Sequence, residues 1–157
     1  MVLLDTNIFV IDRFFRQDPR YNVNRAFLAT LPSLEAGFYI LSLFELCGIS
    51  SFNLAPAELK RWMFLFDEVY SLTILDPPGV QDGPAEEWFG RLGLAIFERI
   101  ERKMTWGDAV LLQAAEAYGA DAVITWNKRH FEDRTTIRVS TPEEFLATNS
   151  TALGPTA

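Results

Sequence analysis

The chain has 157 residues, 49% hydrophobic and 22% charged, a length that suits one domain able to bury roughly two thirds of its unfolded surface without a structural metal or disulfide. Its net charge of −7 excludes a domain that grips nucleic acid through a broad basic face, so any contact with phosphates is expected to be local or metal-mediated. With no apolar run of about 18 residues, no basic secretory leader and a single cysteine, Cys47, the chain is expected to be cytoplasmic and to have no membrane association.

Short aliphatic runs alternate with longer helical patterns, as in a parallel sheet flanked by helices, and no internal repeat interrupts them. Residues 2–4 read as a strand and residues 7–15 as a helix apolar over much of its surface. A polar connection over 16–24 (RQDPRYNVN) leads into a helix that starts at 26–31 and is interrupted by Pro32. Residues 38–42 (FYILS) read as a second strand, with Ser42 and Glu45 in the S-x-x-E spacing of a capping box for the next helix. An amphipathic helix follows over 56–70, then a strand over 72–75 that ends in Asp76-Pro77-Pro78-Gly79. Helices are expected at about 84–103 and 107–118, the second stopped by Gly119, with strands at 122–125 and 137–139. The fold class is therefore α/β, a single domain over residues 1–148 built on a parallel sheet of four to five strands. Residues 149–157 (NSTALGPTA) read as a flexible tail.

Most acids lie among Lys and Arg, as in ERIERK (98–103), where solvation and i,i+4 pairing explain them. Three do not. Asp5 ends the first strand, Glu45 is embedded in LSLFELCGI, and Asp108 opens the apolar helix of MTWGDAVLLQAA. Asn127 likewise follows the strand in DAVITWN. In an open parallel sheet the carboxyl ends of the strands line one crevice, and all four residues can reach it. Asp5 and Asp108 also suit helix N-terminal positions, but Glu45 among apolar neighbours is costly unless something compensates its charge.

Carboxylates within about 4 to 6 Å of one another repel by several kcal/mol in a partly buried site, so protons or a cation must offset them. Mg²⁺ or Mn²⁺ suits an all-oxygen donor set, and the sequence lacks the His and Cys cluster of a zinc site. His130, in the turn Lys128-Arg129-His130, reads as structural or as a weak substrate contact, and Cys47 as core packing.

LLDTN at the start, the internal Glu45, the G-D-A helix opening at 107–109 and ITWNKRHFE (124–132) together resemble the PIN-domain family, and within it the VapC-type toxins. The resemblance spans about residues 1 to 148. It implies a Rossmann-like sheet and a metal-dependent endoribonuclease, with Asp5, Glu45 and Asp108 as the acidic metal ligands and Mg²⁺ or Mn²⁺ as the cofactor. Asn127 stands where the family often has a fourth acid, which lowers the charge available to a second metal. Thr6 and Asn7 would orient Asp5 or bound water, and Thr125 would do the same. Arg13, Lys128 and Arg129, with Arg16, Arg20 and Arg25, are candidates to hold flanking RNA phosphates, and Trp106 and Trp126 either stack on bases or pack in the core. The family expectation extends to a homodimer neutralised by a cognate antitoxin protein, and WMFLF (62–66) and FGRLGLAIF (89–97) carry more large apolar residues than one helix face requires. Two alternatives stay open at this point: a PIN-like binding module with little catalysis, and a phosphoryl-transfer α/β domain using Asp5. Against the second, no Asp lies two residues after Asp5 to act as acid or base.

Overall fold

The apolar runs become five parallel strands: β1 (Val2–Leu4), β2 (Ala36–Tyr39), β3 (Thr73–Leu75), β4 (Ala122–Ile124) and β5 (Arg138–Ser140). A computed structural model describes residues 1–152, with side chains to residue 149, and places the strands in one sheet of order β3-β2-β1-β4-β5. Among the described residues seven α-helices flank it: α1 (Thr6–Phe14), α2 (Tyr21–Leu28), α3 (Ile40–Ser50), α4 (Pro56–Tyr70), α5 (Ala85–Glu101), α6 (Trp106–Ala117) and α7 (Pro142–Ala152). The molecule is thus an α/β domain with the doubly wound, Rossmann-like strand order.

Successive strand residues face opposite sides of the sheet, and both sides are covered. Leu4, Phe38 and Ile124 pack into one cluster with Phe9, Phe27, Leu43, Phe66 and Phe145, while Leu3, Tyr39 and Val123 join a second with Val110, Leu112 and Phe131. Phe9 anchors α1 in the first cluster, its ring 4.7 Å from Phe38 and 4.8 Å from Phe66 and Tyr70 between centroids. Because α1 begins directly after β1, this packing also fixes the direction in which the Asp5 segment leaves the sheet.

The topology reverses at β1, which pairs with β2 on one side and β4 on the other. The crevice beyond the carboxyl ends of β1 and β4 is therefore the switch point where such sheets bind ligands.

Several boundaries differ from the sequence reading. The expected strand over 38–42 begins at Ala36 and stops at Tyr39, and Ile40 already opens α3. Ser42 is consequently buried inside that helix and caps nothing, so the S-x-x-E spacing was fortuitous: apolar residues here serve a buried helix as readily as a strand. Part of the polar connection, from Tyr21, belongs to α2, whose Asn24 is wholly buried and donates from Nδ2 to the Ile8 carbonyl at 2.9 Å. Helix α7 had no counterpart in the reading and runs through residues 149–152 of the expected tail, whose remaining residues 153–157 lie outside the described part of the chain.

The signal for α7 lies in T-P-E-E. Thr141 Oγ1 accepts from the Glu144 N–H at 3.1 Å, and Glu144 Oε2 accepts from the Thr141 N–H at 3.1 Å, a reciprocal capping box with Pro142 at the first helical position. Thr141→Ala removes the hydroxyl half of this box and is expected to destabilise the protein by about 1 kcal/mol, read from the urea midpoint at unchanged slope.

Candidate functional site

Each acid singled out in the sequence reaches the switch-point crevice by a different route. Asp5 occupies the position just before α1, where the backbone leaves β1, yet its carboxylate makes no capping bond to the helix. Thr125 Oγ1 and Asn7 Nδ2 instead each donate to Asp5 Oδ2, both at 2.6 Å. Glu45 comes from the second turn of α3, and its Oε2 accepts from Thr6 Oγ1 at 3.0 Å. Asp108 lies in the first turn of α6, where its N–H bonds Thr105 Oγ1 at 3.3 Å, and its Oδ2 accepts from the same hydroxyl at 2.6 Å. His130 Nδ1 stands 3.1 Å from that Oδ2.

Except for Thr125, which is wholly buried behind Asp5, these residues line one cavity of about 290 Å³ together with Val10, Ile49, Gly107 and Asn127. No Lys or Arg lines it, so three carboxylates share the space with no basic side chain among them to pair with beyond His130. Burial pushes the Asp5 carboxyl up to about 6, with Asp108 and Glu45 adding to the rise and the Thr125 hydroxyl opposing it. Burial also raises Glu45, again opposed by a hydroxyl, that of Thr6, and reinforced by Asp108. The charge of the set is incompletely compensated by protein groups.

Two backbone features make the crowding possible. The N-terminal ends of α1 and α6 present their positive dipole ends near Asp5 and Asp108. Gly107 lets the Glu45 carboxylate lie against the first turn of α6: a Cβ built there would be 3.0 Å from Glu45 Cδ and would collide with Oε1.

Thr125 is the hub of the β1–β4 side. Wholly buried, its hydroxyl donates to Asp5 and accepts from Asn7 Nδ2 at 3.0 Å and from the Asn127 N–H at 2.9 Å, while Asn7 Oδ1 accepts from the Trp126 N–H at 3.2 Å. Thr125→Val keeps the shape but leaves these donors short of an acceptor, so a loss of about 1–3 kcal/mol in chemical denaturation is expected. The same variant should move the Asp5 titration still higher, because the principal group opposing the burial effect is gone.

The structure brings together Asp5, Glu45, Asp108 and Asn127 of the expected set, with Thr6, Asn7 and Thr125 beside them. Thr6 differs in its partner, orienting Glu45 rather than Asp5, because it faces α3 from the first turn of α1. Arg13 does not line the cavity: it lies further along α1, bonds Glu58 Oε1 at 2.9 Å and sits over the Trp62 ring. Lys128 is likewise outside the lining and bonds Glu144 at 3.0 Å, and Arg129 is exposed on the same turn without lining the cavity. Arg20 and Arg25 are held by Asp18 and by buried Asp12. Trp126 packs against the core and donates from Nε1 to Asn24 Oδ1 at 2.8 Å, whereas Trp106 is exposed. Thr105 and Gly107 were not among the expected site residues, and His130 was expected only as structural or as a weak substrate contact. The T-x-x-D spacing of Thr105 and Asp108 was a readable signal for the first, but nothing in the sequence ties His130 to an acid 22 residues away.

The residues fit a hard cation in donor type and in charge, being oxygen ligands with excess negative charge. They are held on their hydroxyl and amide partners, and among the described residues no three His, Cys, Asp or Glu side chains converge as a ready-formed ion site. In comparisons with known proteins, no family model matches the chain and no curated protein matches it. Fold and cavity together define a Rossmann-like α/β domain with an acidic cavity at the carboxyl edge of its sheet. Among the described residues no helix is long and apolar enough to cross a membrane.

Proposed function

We propose that this protein is an Mg²⁺- or Mn²⁺-dependent endoribonuclease of the PIN-domain, VapC-like kind that its motifs resemble, the toxin of a toxin–antitoxin pair. The observation that carries the reading is the trio of Asp5, Glu45 and Asp108 in one cavity lined by no Lys or Arg, with the first two carboxyls raised. These three side chains would hold the cation. When bound, it supplies hydroxide from a coordinated water near neutral pH and offsets charge on the scissile phosphate. An acidic protein can thereby act on a polyanion, since the cation reverses the sign of the site.

The chain's own residues then have distinct tasks. Thr125 and Asn7 hold the Asp5 carboxylate by Oδ2, and Thr6 holds Glu45 by Oε2, so neither ligand has to be ordered at the moment of binding. Asn127, exposed at the rim, offers an amide to the phosphate or to a coordinated water without adding charge. The exposed Arg129 and the more distant Arg13 and Lys128 would meet flanking phosphates, the last two by exchanging their present carboxylate partners. Exposed Phe52, Phe64, Phe89, Leu94 and Phe97 supply apolar surface for a second copy of the chain and for an antitoxin.

The test is incubation of purified protein with a mixed RNA pool in Mn²⁺ or Mg²⁺ and in EDTA. Cutting that depends on the cation and yields discrete ends is expected. A preparation free of bound protein inhibitor that cuts nothing in either cation refutes the nuclease.

A further inference from the structure

The three acids of the cavity follow one pattern of support. Each is held on a single carboxylate oxygen, and each has a donor reaching it from a different element: Thr125 at the end of β4 for Asp5, Thr6 of α1 for Glu45, and His130 of the β4–β5 connection for Asp108. Thr105, the other donor to Asp108, belongs to the same helix turn and can set the side chain only relative to α6. His130 is thus the described contact that ties Asp108 to the sheet edge carrying Thr125 and Asn127.

The backbone that carries the imidazole is braced, while the ring itself is half exposed. The short 3-10 turn Lys128–His130 is closed by the His130 N–H on the Asn127 carbonyl at 2.9 Å. Arg134 Nη1 donates to the His130 carbonyl at 2.6 Å while its Nε donates to the Arg102 carbonyl at 3.0 Å, linking the turn to the end of α5. With Phe131 fully buried beneath, the ring presents Nδ1 to Asp108 Oδ2 from a fixed platform.

We propose that His130 is a positioning residue: by donating from Nδ1 to Asp108 Oδ2 it holds the Asp108 carboxylate with its other oxygen available to the cation. The inference rests on the cation reading of the site, and it assigns the histidine to the support of a ligand rather than to the ligand set. Donors that orient a metal's carboxylates or histidines typically change affinity by 10- to 100-fold when removed. Nothing in the role requires the ring to change protonation, only the tautomer that carries hydrogen on Nδ1.

Mn²⁺ binding followed by electron paramagnetic resonance, with the thermal midpoint as a control, separates the outcomes. His130→Ala is expected to weaken Mn²⁺ binding by about 10- to 100-fold. His130→Asn, whose amide occupies the place of Nδ1 and keeps a donor there, should restore affinity to within about threefold, a rescue that a merely space-filling role would not give. Equal loss in both variants, or wild-type affinity in His130→Ala, overturns the inference while leaving the cation site standing. Wild-type protein that binds no Mn²⁺ overturns both this inference and the nuclease reading.

Discussion

Asp5→Asn is expected to abolish cation-dependent RNA cleavage and, at the same time, to make the cation-free protein more stable at about pH 7. The loss follows from the proposed role of the carboxylate as a ligand: a cation contributing several kcal/mol to the transition state corresponds to a rate at least about 1000-fold lower when it is lost. The gain in stability follows from the crowding of the cavity. In the folded protein Asp5 titrates at about 6 against an ordinary value of 3.8, raised chiefly by burial. Below about pH 4 it is protonated whether the chain is folded or not, so it costs nothing. As pH rises from about 4 to 6 the unfolded chain releases its proton first, and stability falls through that window. Above it the full cost remains, about 3 kcal/mol for a shift of this size.

Asparagine carries no such charge, although it returns part of the gain because Asn7 Nδ2 loses an ionised acceptor. A net gain of about 2 kcal/mol near neutral pH, vanishing near pH 4, is the expected result of urea titrations in EDTA. Added Mn²⁺ should stabilise the wild type and not the variant, through linkage to the folded state alone. An Asn variant less stable than wild type near pH 7 would contradict the crowding. A variant that still cleaves would remove Asp5 from the chemistry.

Gly107→Ala probes the other half of the cavity, and its expected signature is the reverse of a folding defect. The added methyl collides with the Glu45 carboxylate, the far end of a flexible side chain, so the fold yields there at little cost. Alanine is also the better helix former, and stability should stay within about 1 kcal/mol of wild type. Glu45, however, has to leave its place between Thr6 and the first turn of α6. A displacement of about 1 Å at a reacting centre can cost on the order of 100-fold, and cleavage should fall by about that factor with the thermal midpoint within about 4 °C of wild type. Full activity in this variant would show that Glu45 need not lie against α6. Collapse of the fold would show instead that the glycine serves packing.

How far the site could be read in advance depended on the range of the interaction concerned. Asp5, Glu45 and Asp108 stood out because a carboxylate ending an apolar strand, or set among apolar neighbours, violates local patterning, and such violations are visible one residue at a time. The helix over 56–70 and its start at Pro56 were equally legible, since proline at the first helical position and an amphipathic period are local signals. The stretch 38–42 was not, because FYILS satisfies a buried strand and a buried helix alike, and only the pairing of β2 with β1 and β3 ends the strand at Tyr39.

By itself, then, the sequence determined the α/β alternation, most of the helices and the identity of the acids, all of which depend on periods of two and 3.6 residues and on the cost of unpaired charge. Asn7 and Thr105 lie within three residues of the acids they hold, whereas the tertiary structure decided the distant partners, of which the family resemblance alone pointed to Thr125. Thr125 meets Asp5 across 120 residues because β4 inserts beside β1, Thr6 turns to Glu45 because α1 crosses α3, and His130 reaches Asp108 because Arg134 braces the turn after β4. Hydrogen bonds between such distant residues leave no period in the chain, so their partners emerge only when the strand order brings the loops to one edge.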